Sequence, residues 1–291
     1  VRNKPTKTGR GSSKVVGKEI ELPPSSSEAN KVKLLEPVVK SYNQTWLSNI
    51  ASLDGSYIQP WLKRIFIQNT SLGGRFYGRF QNLPQSHRKR ILINNEKTIE
   101  LDFKSLHIAI LYAHEGIELD IDPYKIDGYQ RGAIKQVFLR LANTNDLSSL
   151  KGQITISGEP EKQIEYLKIK HQLDIYNHYR ARGIKFSKPH VPMWCDRFIE
   201  SLPTNINGDE LLNDIFLKHA PIAHRLGEQD IGLKLQRIDS AIIEKIMSKL
   251  NGVPILPVHD SIICQRSIKD LVQQVMLDAA YEVLNVRLTV K

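Results

Sequence analysis

Two aspartates beside apolar runs are the first candidates for chemistry. Asp260 lies in the stretch 255–264, Ile-Leu-Pro-Val-His-Asp-Ser-Ile-Ile-Cys, where apolar residues flank it on both sides. Runs rich in Val and Ile predict buried β-strands, so this stretch predicts a hairpin with Asp260 at its tight centre. A carboxylate there is costly unless it is paired or binds a metal. The alternative is a turn in which Asp260 and Ser261 supply only turn chemistry.

Asp102 supplies a second carboxylate in a comparable setting. Residues 91–101 predict a β-hairpin turning at Asn94-Asn95, and its second strand runs on into Asp102 and Phe103. The apolar residues from Leu106 then predict a helix, with His107 near its start. A carboxylate held between a strand and a helix is well placed to bind a cation, which makes a metal shared with Asp260 the working hypothesis.

A glycine-rich basic stretch, residues 73–84, reads Gly-Gly-Arg-Phe-Tyr-Gly-Arg-Phe-Gln-Asn-Leu-Pro. Glycine permits close approach of the backbone to a ligand. The arginines and amides are side chains suited to phosphate and minor-groove contact, namely Arg75, Arg79, Gln81 and Asn82. A plain loop between strands is the alternative.

Two cations share one face of a predicted helix within residues 128–145. Arg131 and Lys135 are four residues apart, so both project from the same side. Without a nearby acidic partner they repel each other unless an anion lies between them, and a nucleoside triphosphate is such an anion. A solvated helix face is the competing interpretation.

Composition limits the partners and the compartment. The 291 residues carry a net charge of +10, with 41% hydrophobic residues, which predicts one large or two ordinary globular domains. Excess Lys and Arg favour a polyanionic partner, nucleic acid first, against the alternative of a merely basic protein. The 2 cysteines lack metal-ligand spacing, and no run approaches ~18 apolar residues. We therefore expect a cytoplasmic protein that does not span a membrane.

The motifs together resemble those of a known family. Asp102 after a strand, Arg131-x-x-x-Lys135 on a helix and Val258-His259-Asp260 in a hairpin follow the order of polymerase motifs A, B and C. This order resembles the palm and fingers of family A DNA polymerases and the related single-subunit phage-type RNA polymerases. Gly74-Arg75-Phe76 and the segment 81–84, Gln-Asn-Leu-Pro, look like a further family A segment, and Gln236 matches a family glutamine near the primer terminus.

The resemblance implies a fold and a division of the chain. The fold class is α+β, a right-hand polymerase with an antiparallel-sheet palm, helical fingers and a reduced helical thumb. The few large apolar residues and the scattered Lys and Arg of residues 1–30 predict a disordered basic tail. For the rest, the implied division is a helical thumb-like segment at 31–70, palm at 71–127, helical fingers at 128–232 and palm again at 233–291. The length leaves no room for an exonuclease domain, so proofreading is not expected.

The resemblance also implies roles for individual residues. Asp102, Asp260 and the carbonyl of Phe103 would hold two Mg²⁺ ions, with Mn²⁺ as an alternative metal. Arg131 and Lys135 would bind the incoming nucleoside triphosphate, with Lys135 as the acid for departing pyrophosphate and His107 beside the sugar. The residues that would contact the DNA primer-template are Arg75, Arg79, Gln81, Asn82, Gln236 and His259.

Departures from the family pattern keep other functions open. His107 stands where family A DNA polymerases have Glu, and Ser261 follows His-Asp as in phage-type RNA polymerases. The Tyr-Gly that ends motif B is absent, with Asn143-Thr144 near its place. We expect a compact DNA polymerase suited to replication of a mobile element. The alternatives are an RNA polymerase or primase, a non-catalytic nucleic-acid-binding replication protein and, ranked lower, a hydrolase; protein partners are unknown.

Overall fold

The computed structural model describes residues 1–3, 18–144 and 146–291, which form two compact units. Unit 1 comprises Val1–Ile121 and Gly232–Lys291, and unit 2 comprises Asp122–Ile231. Throughout the described ranges, every helix is too short or too polar to cross a membrane.

Unit 1 contains two antiparallel sheets. Its strands are β1 (Ala51–Leu53), β2 (Ser56–Tyr57), β3 (Lys63–Ile67), β4 (Asn69–Tyr77), β5 (Leu92–Ile93), β6 (Glu96–Asp102), β7 (Leu256–Val258) and β8 (Ser261–Gln265). The larger sheet has the order β2-β1-β5-β6-β8-β7, and β3 pairs with β4 in the smaller one. Because β6 and β8 are neighbours, the two predicted hairpins meet at the centre of the larger sheet.

The helices follow in chain order. They are α1 (Ser27–Thr45), α2 (Gln85–Arg88), α3 (Leu106–His114), α4 (Arg131–Leu141), α5 (Leu147–Gly158), α6 (Pro160–Ala181), α7 (Gly208–Lys218), α8 (Ile231–Lys249) and α9 (Lys269–Leu284). Helices α4 to α7 lie in unit 2, where α5 packs against α6 and α7. The apolar spacing of α8 buries Leu235, Ile242 and Ile246, as a one-sided helical stripe requires.

The turns of both predicted hairpins are confirmed. Asn94 and Asn95, between β5 and β6, have φ of 51° and 64°, left-handed values that Asn tolerates better than most residues. Between β7 and β8, Val258 pairs with Ser261, so only His259 and Asp260 form the turn. His259 has φ 56° there, which is uncommon for a non-glycine residue. Sequence periodicity therefore correctly placed Asp102 at a strand end and Asp260 in the hairpin turn.

Three local predictions differ from the structure. The helical segment predicted for 31–70 ends at Thr45, and strands β1 to β3 follow, because short apolar runs between turn residues form strands as readily as helices. Within the segment 128–232, predicted as helical fingers, residues 194–202 form only a short 3₁₀ turn, Met193–Arg197, since prolines flank them. The glycine-rich stretch begins inside β4, whose twist and bulge accommodate Gly73 and Gly74 at positive φ.

The predicted basic tail is described only in part. Residues 4–17 lie outside the described residues. Arg2 forms β-bridges with Glu19 and Ile67, and Ser27 to Asn30 already belong to α1. The α+β prediction is confirmed as a mixed fold with an antiparallel sheet, while the assignment of palm, fingers and thumb stays a prediction.

Candidate active site

Asp102 and Asp260 lie at neighbouring points of the larger sheet in unit 1. Asp102 is the last residue of β6 and pairs in register with Ser261, the first residue of β8. Asp260 immediately precedes Ser261, and its carbonyl accepts a hydrogen bond of 3.4 Å from the amide of Phe103. The backbone of β6 and the β7–β8 turn therefore holds both carboxylate-bearing residues side by side.

The electrostatics of Asp102 show that its charge is poorly compensated. Burial raises the pKa of the Asp102 carboxyl, and the negative charge of Asp260 raises it further. Lys291 opposes this, because its ammonium lies 3.3 Å from Asp102 Oδ2 and its backbone exchanges two hydrogen bonds with Asp102. The remaining excess of negative charge makes this strand end a place where a cation is stabilising.

The donor chemistry fits a hard divalent cation. Carboxylate and carbonyl oxygens are the ligands that Mg²⁺ and Mn²⁺ prefer, and Mg²⁺ sites commonly use only one or two protein carboxylates with water and substrate phosphates. Among the described residues, no group of three or more His, Cys, Asp or Glu side chains is arranged to hold a metal. Asp102, Asp260 and the carbonyl of Phe103 thus suit a site that substrate oxygens complete.

A third carboxylate on the same strand is already neutralised. Glu100 precedes Asp102 by two residues on β6 and so points to the same face of the sheet. Arg88 donates to both of its carboxylate oxygens, at 2.9 and 3.2 Å, and the Ser261 hydroxyl donates to Oε1 at 2.8 Å. Glu100 is therefore a structural anchor for Arg88 and Ser261, whereas the exposed Lys291 is the one cationic partner of Asp102 among the residues that the structure describes.

Arg75 and His107 are held by one buried carboxylate. Asp239, on the apolar face of α8, is completely buried and accepts hydrogen bonds from Arg75 Nε at 3.0 Å and from Arg75 Nη2. His107 Nε2 lies 2.8 Å from Asp239 Oδ2 and 3.1 Å from Arg75 Nη2. Burial works against the cationic form of Arg75, but Asp239 outweighs it and the pKa of Arg75 is raised.

His259 and Gln81 complete a crevice that Arg75 and Asp239 also line. Burial and the charge of Arg75 lower the pKa of His259, which favours the neutral imidazole. Its Nδ1 is buried without a hydrogen-bond partner among the described residues, and its ring contacts Tyr77 edge to face. Gln81 donates to the carbonyls of Phe76 and Pro257 at 3.1 and 2.8 Å, so its amide joins β4 to β7.

The other residues predicted to contact nucleic acid are more accessible. Arg79 and Asn82 are exposed on the 3₁₀ turn that follows β4, and Gln236 is half-buried in the first half of α8. These positions permit contact with a large ligand, and the contact itself stays a prediction.

The predicted triphosphate pair, Arg131 and Lys135, lies in unit 2. Both side chains are exposed on α4. The expectation that no acid lies nearby is wrong for Arg131, because its Nε donates to Asp122 at 2.7 Å and its guanidinium stacks on Tyr124. Asp122 was overlooked because it precedes the helix by nine residues and is brought back by the intervening turn.

Asp239, Glu100 and Arg88 are site residues that the sequence motifs did not identify. A signal existed for Asp239: it shares the helical spacing of Leu235, Ile242 and Ile246, and a carboxylate in an apolar stripe requires a partner. Nothing in the chain near Arg88 indicated Glu100, since the pair forms only when β6 folds beside α2.

Comparisons with known proteins identify no family. No protein-family model matches the chain, and no curated protein matches it. Among solved structures it is similar to the polymerase domain of Pol1 from M. smegmatis in complex with DNA primer-template and dNTP, at 12% identity and a TM-score of 0.34. That match covers 90% of this chain and 50% of the other, so the chain spans about half the length of that structure.

Proposed function

We propose that the chain is a template-directed nucleotidyltransferase that extends a primer 3′-hydroxyl by two-metal-ion catalysis, as a compact DNA polymerase without proofreading. The observation that carries the proposal is that Asp102, at the end of β6, pairs in register with Ser261, so that Asp260 lies beside it in the β7–β8 turn and its negative charge helps to raise the pKa of Asp102. The net charge of +10 favours nucleic acid as the partner.

The residues divide the work by their chemistry. Asp102 and Asp260, with the Phe103 carbonyl, would hold the metal ions. When bound, two Mg²⁺ ions activate the primer 3′-hydroxyl and stabilise the leaving pyrophosphate. Arg75 and His259 lie close together as lining residues of one small crevice. A guanidinium and a neutral imidazole are side chains suited to hydrogen bonds with a primer end, and we assign that role to these two residues. Arg131 and Lys135 are the candidates for the triphosphate.

Primer extension tests the proposal. A primed DNA template with dNTPs and Mg²⁺ should be extended by the full chain, and Asp102→Ala or Asp260→Ala should reduce extension at least about a thousandfold, as expected when one ligand of a catalytic metal is lost. Asp54→Ala is the matched control, because Asp54 is an exposed aspartate of unit 1 paired with Arg90. Extension that survives either alanine substitution would refute the assigned mechanism.

An RNA polymerase or primase is the second candidate, and Ser261 is the observation that favours it. Ser261 follows His259-Asp260 and lies opposite Asp102 in the register. A carboxylate at this position would add a third negative charge, whereas the Ser261 hydroxyl donates a hydrogen bond to Glu100. Supplying only rNTPs or only dNTPs separates the two enzymes. Salt-sensitive DNA binding without incorporation of either would favour a non-catalytic protein.

A further inference from the structure

Asp239 is a buried charge inside the candidate site that serves neither as a metal ligand nor as a surface residue. Its side chain is 0% exposed, whereas those of Arg75 and His107 are 18% and 26% exposed. His107 Nε2 lies 2.8 Å from Asp239 Oδ2, within hydrogen-bond distance of the carboxylate. Asp239 therefore fixes the guanidinium of one candidate residue and the ring orientation of another.

Arg75 has a second carboxylate within electrostatic reach. Arg75, Asp239 and His259 line one crevice, and Asp260 follows His259 in the β7–β8 turn. The charge of Asp260 contributes to the raised pKa of Arg75, after the larger contribution of Asp239. A guanidinium released from Asp239 would meet in Asp260 a carboxylate that it can bind through two parallel hydrogen bonds.

We propose that Asp239 is a positioning residue that holds Arg75 on α8 and thereby leaves the Asp260 carboxylate available to a divalent cation. The inference rests on the proposed function, since it concerns access of the metal to Asp260. Without Asp239, Arg75 becomes an internal competitor for the same carboxylate. The cation then has to displace the Arg75 guanidinium from the Asp260 carboxylate before it binds there.

Binding of Mn²⁺ alone to the full chain, followed by the electron paramagnetic resonance signal of the free ion, measures this competition. Asp239→Asn should weaken Mn²⁺ binding about tenfold, the order expected when a charge pair at a partly exposed site must be broken. Adding Arg75→Gln to that variant should restore the affinity to within about twofold of the Arg75→Gln protein, because the competing cation is gone. A purely structural role predicts instead that the double variant binds no better than Asp239→Asn.

Glu244→Gln is the control for loss of a carboxylate that pairs with a buried arginine, and it lies on the same helix as Asp239. Glu244 pairs with Arg64, whose side chain is 5% exposed, and it is not part of the crevice. It should lower the melting temperature and leave Mn²⁺ affinity unchanged. If Asp239→Asn does not fold, Asp239→Ser takes its place, since it also removes the negative charge that holds Arg75; unchanged affinity in the folded variant overturns the inference.

Two further variants separate failure of this inference from failure of the proposed function. If Asp102→Asn and Asp260→Asn bind Mn²⁺ as well as the unaltered chain does, the metal site itself is refuted and the role of Asp239 with it. If those variants lose Mn²⁺ while Asp239→Asn retains full affinity, the metal site stands and only the positioning role is overturned.

Discussion

Asp102→Asn should make the metal-free protein more stable while removing one ligand of the proposed metal site. The pKa of Asp102 is raised by burial and by Asp260, so its ionised form is less favourable in the folded chain than in the unfolded chain. Asn keeps the size of the side chain and removes that charge. The Asp102 side chain is 35% exposed, so solvent screening limits the gain to about 0.5–1 kcal/mol, already reduced by the lost contact with Lys291.

The pH dependence gives the sign of the effect. A carboxyl whose folded pKa is raised binds its proton more tightly in the folded state, so the unaltered chain loses stability as the pH rises through that pKa. Below the ordinary value of 3.8 both states are protonated and the penalty vanishes. The stability difference between Asp102→Asn and the unaltered chain should therefore be constant near neutral pH and shrink as the pH falls toward 3.8.

Metal should reverse the order of stability. A ligand at ten times its Kd stabilises the folded state by about 1.4 kcal/mol, which exceeds the penalty estimated for Asp102. In EDTA, Asp102→Asn should have a higher free energy of unfolding in urea than the unaltered chain, and a melting temperature about 2 °C higher. In excess Mg²⁺, Asp102→Asn should be the less stable of the two proteins. Asp54→Asn should show neither change. A variant less stable than the unaltered chain in EDTA near neutral pH would contradict the reasoning.

Three further predictions concern the frame around the site. Glu244→Ala should lower the free energy of unfolding by about 3–5 kcal/mol in urea titrations, because it leaves Arg64 as an uncompensated buried charge. Gly74→Ala should cost more than about 1 kcal/mol in the same titration, since φ is +80° and the new Cβ would lie 2.6 Å from Phe66 Cε1. Gln81→Ala should cost about 1–3 kcal/mol by leaving the carbonyls it joins unsatisfied, and it should increase amide hydrogen exchange in β7.

The sequence predicts the strands and helices near the candidate carboxylates because their patterns are strong and local. Alternating or continuous apolar runs end at turn residues such as Asn94-Asn95, and Ser105 is followed by α3, which is mostly apolar apart from His107 and His114. Elsewhere tertiary packing decides. Residues 51–67 form strands because they pair with each other and with β4 and β5, and those pairings are not visible in the local pattern.

Site residues were predictable where a charged residue interrupts an apolar run. They were not predictable where an ion pair forms between residues far apart in the sequence. Asp260 and Asp239 both interrupt buried stretches, so each requires a partner, but only spatial proximity tells which cation or carboxylate that partner is. Arg75 illustrates the consequence: motif reasoning predicts a free guanidinium for nucleic acid, whereas the structure commits two of its nitrogens to Asp239, which lies 164 residues away in the chain. A guanidinium fixed in this way is pre-oriented for a ligand on its remaining edge. Its positive charge is compensated by Asp239. The contact that orients Arg75 therefore involves a carboxylate, Asp239, that no motif contains.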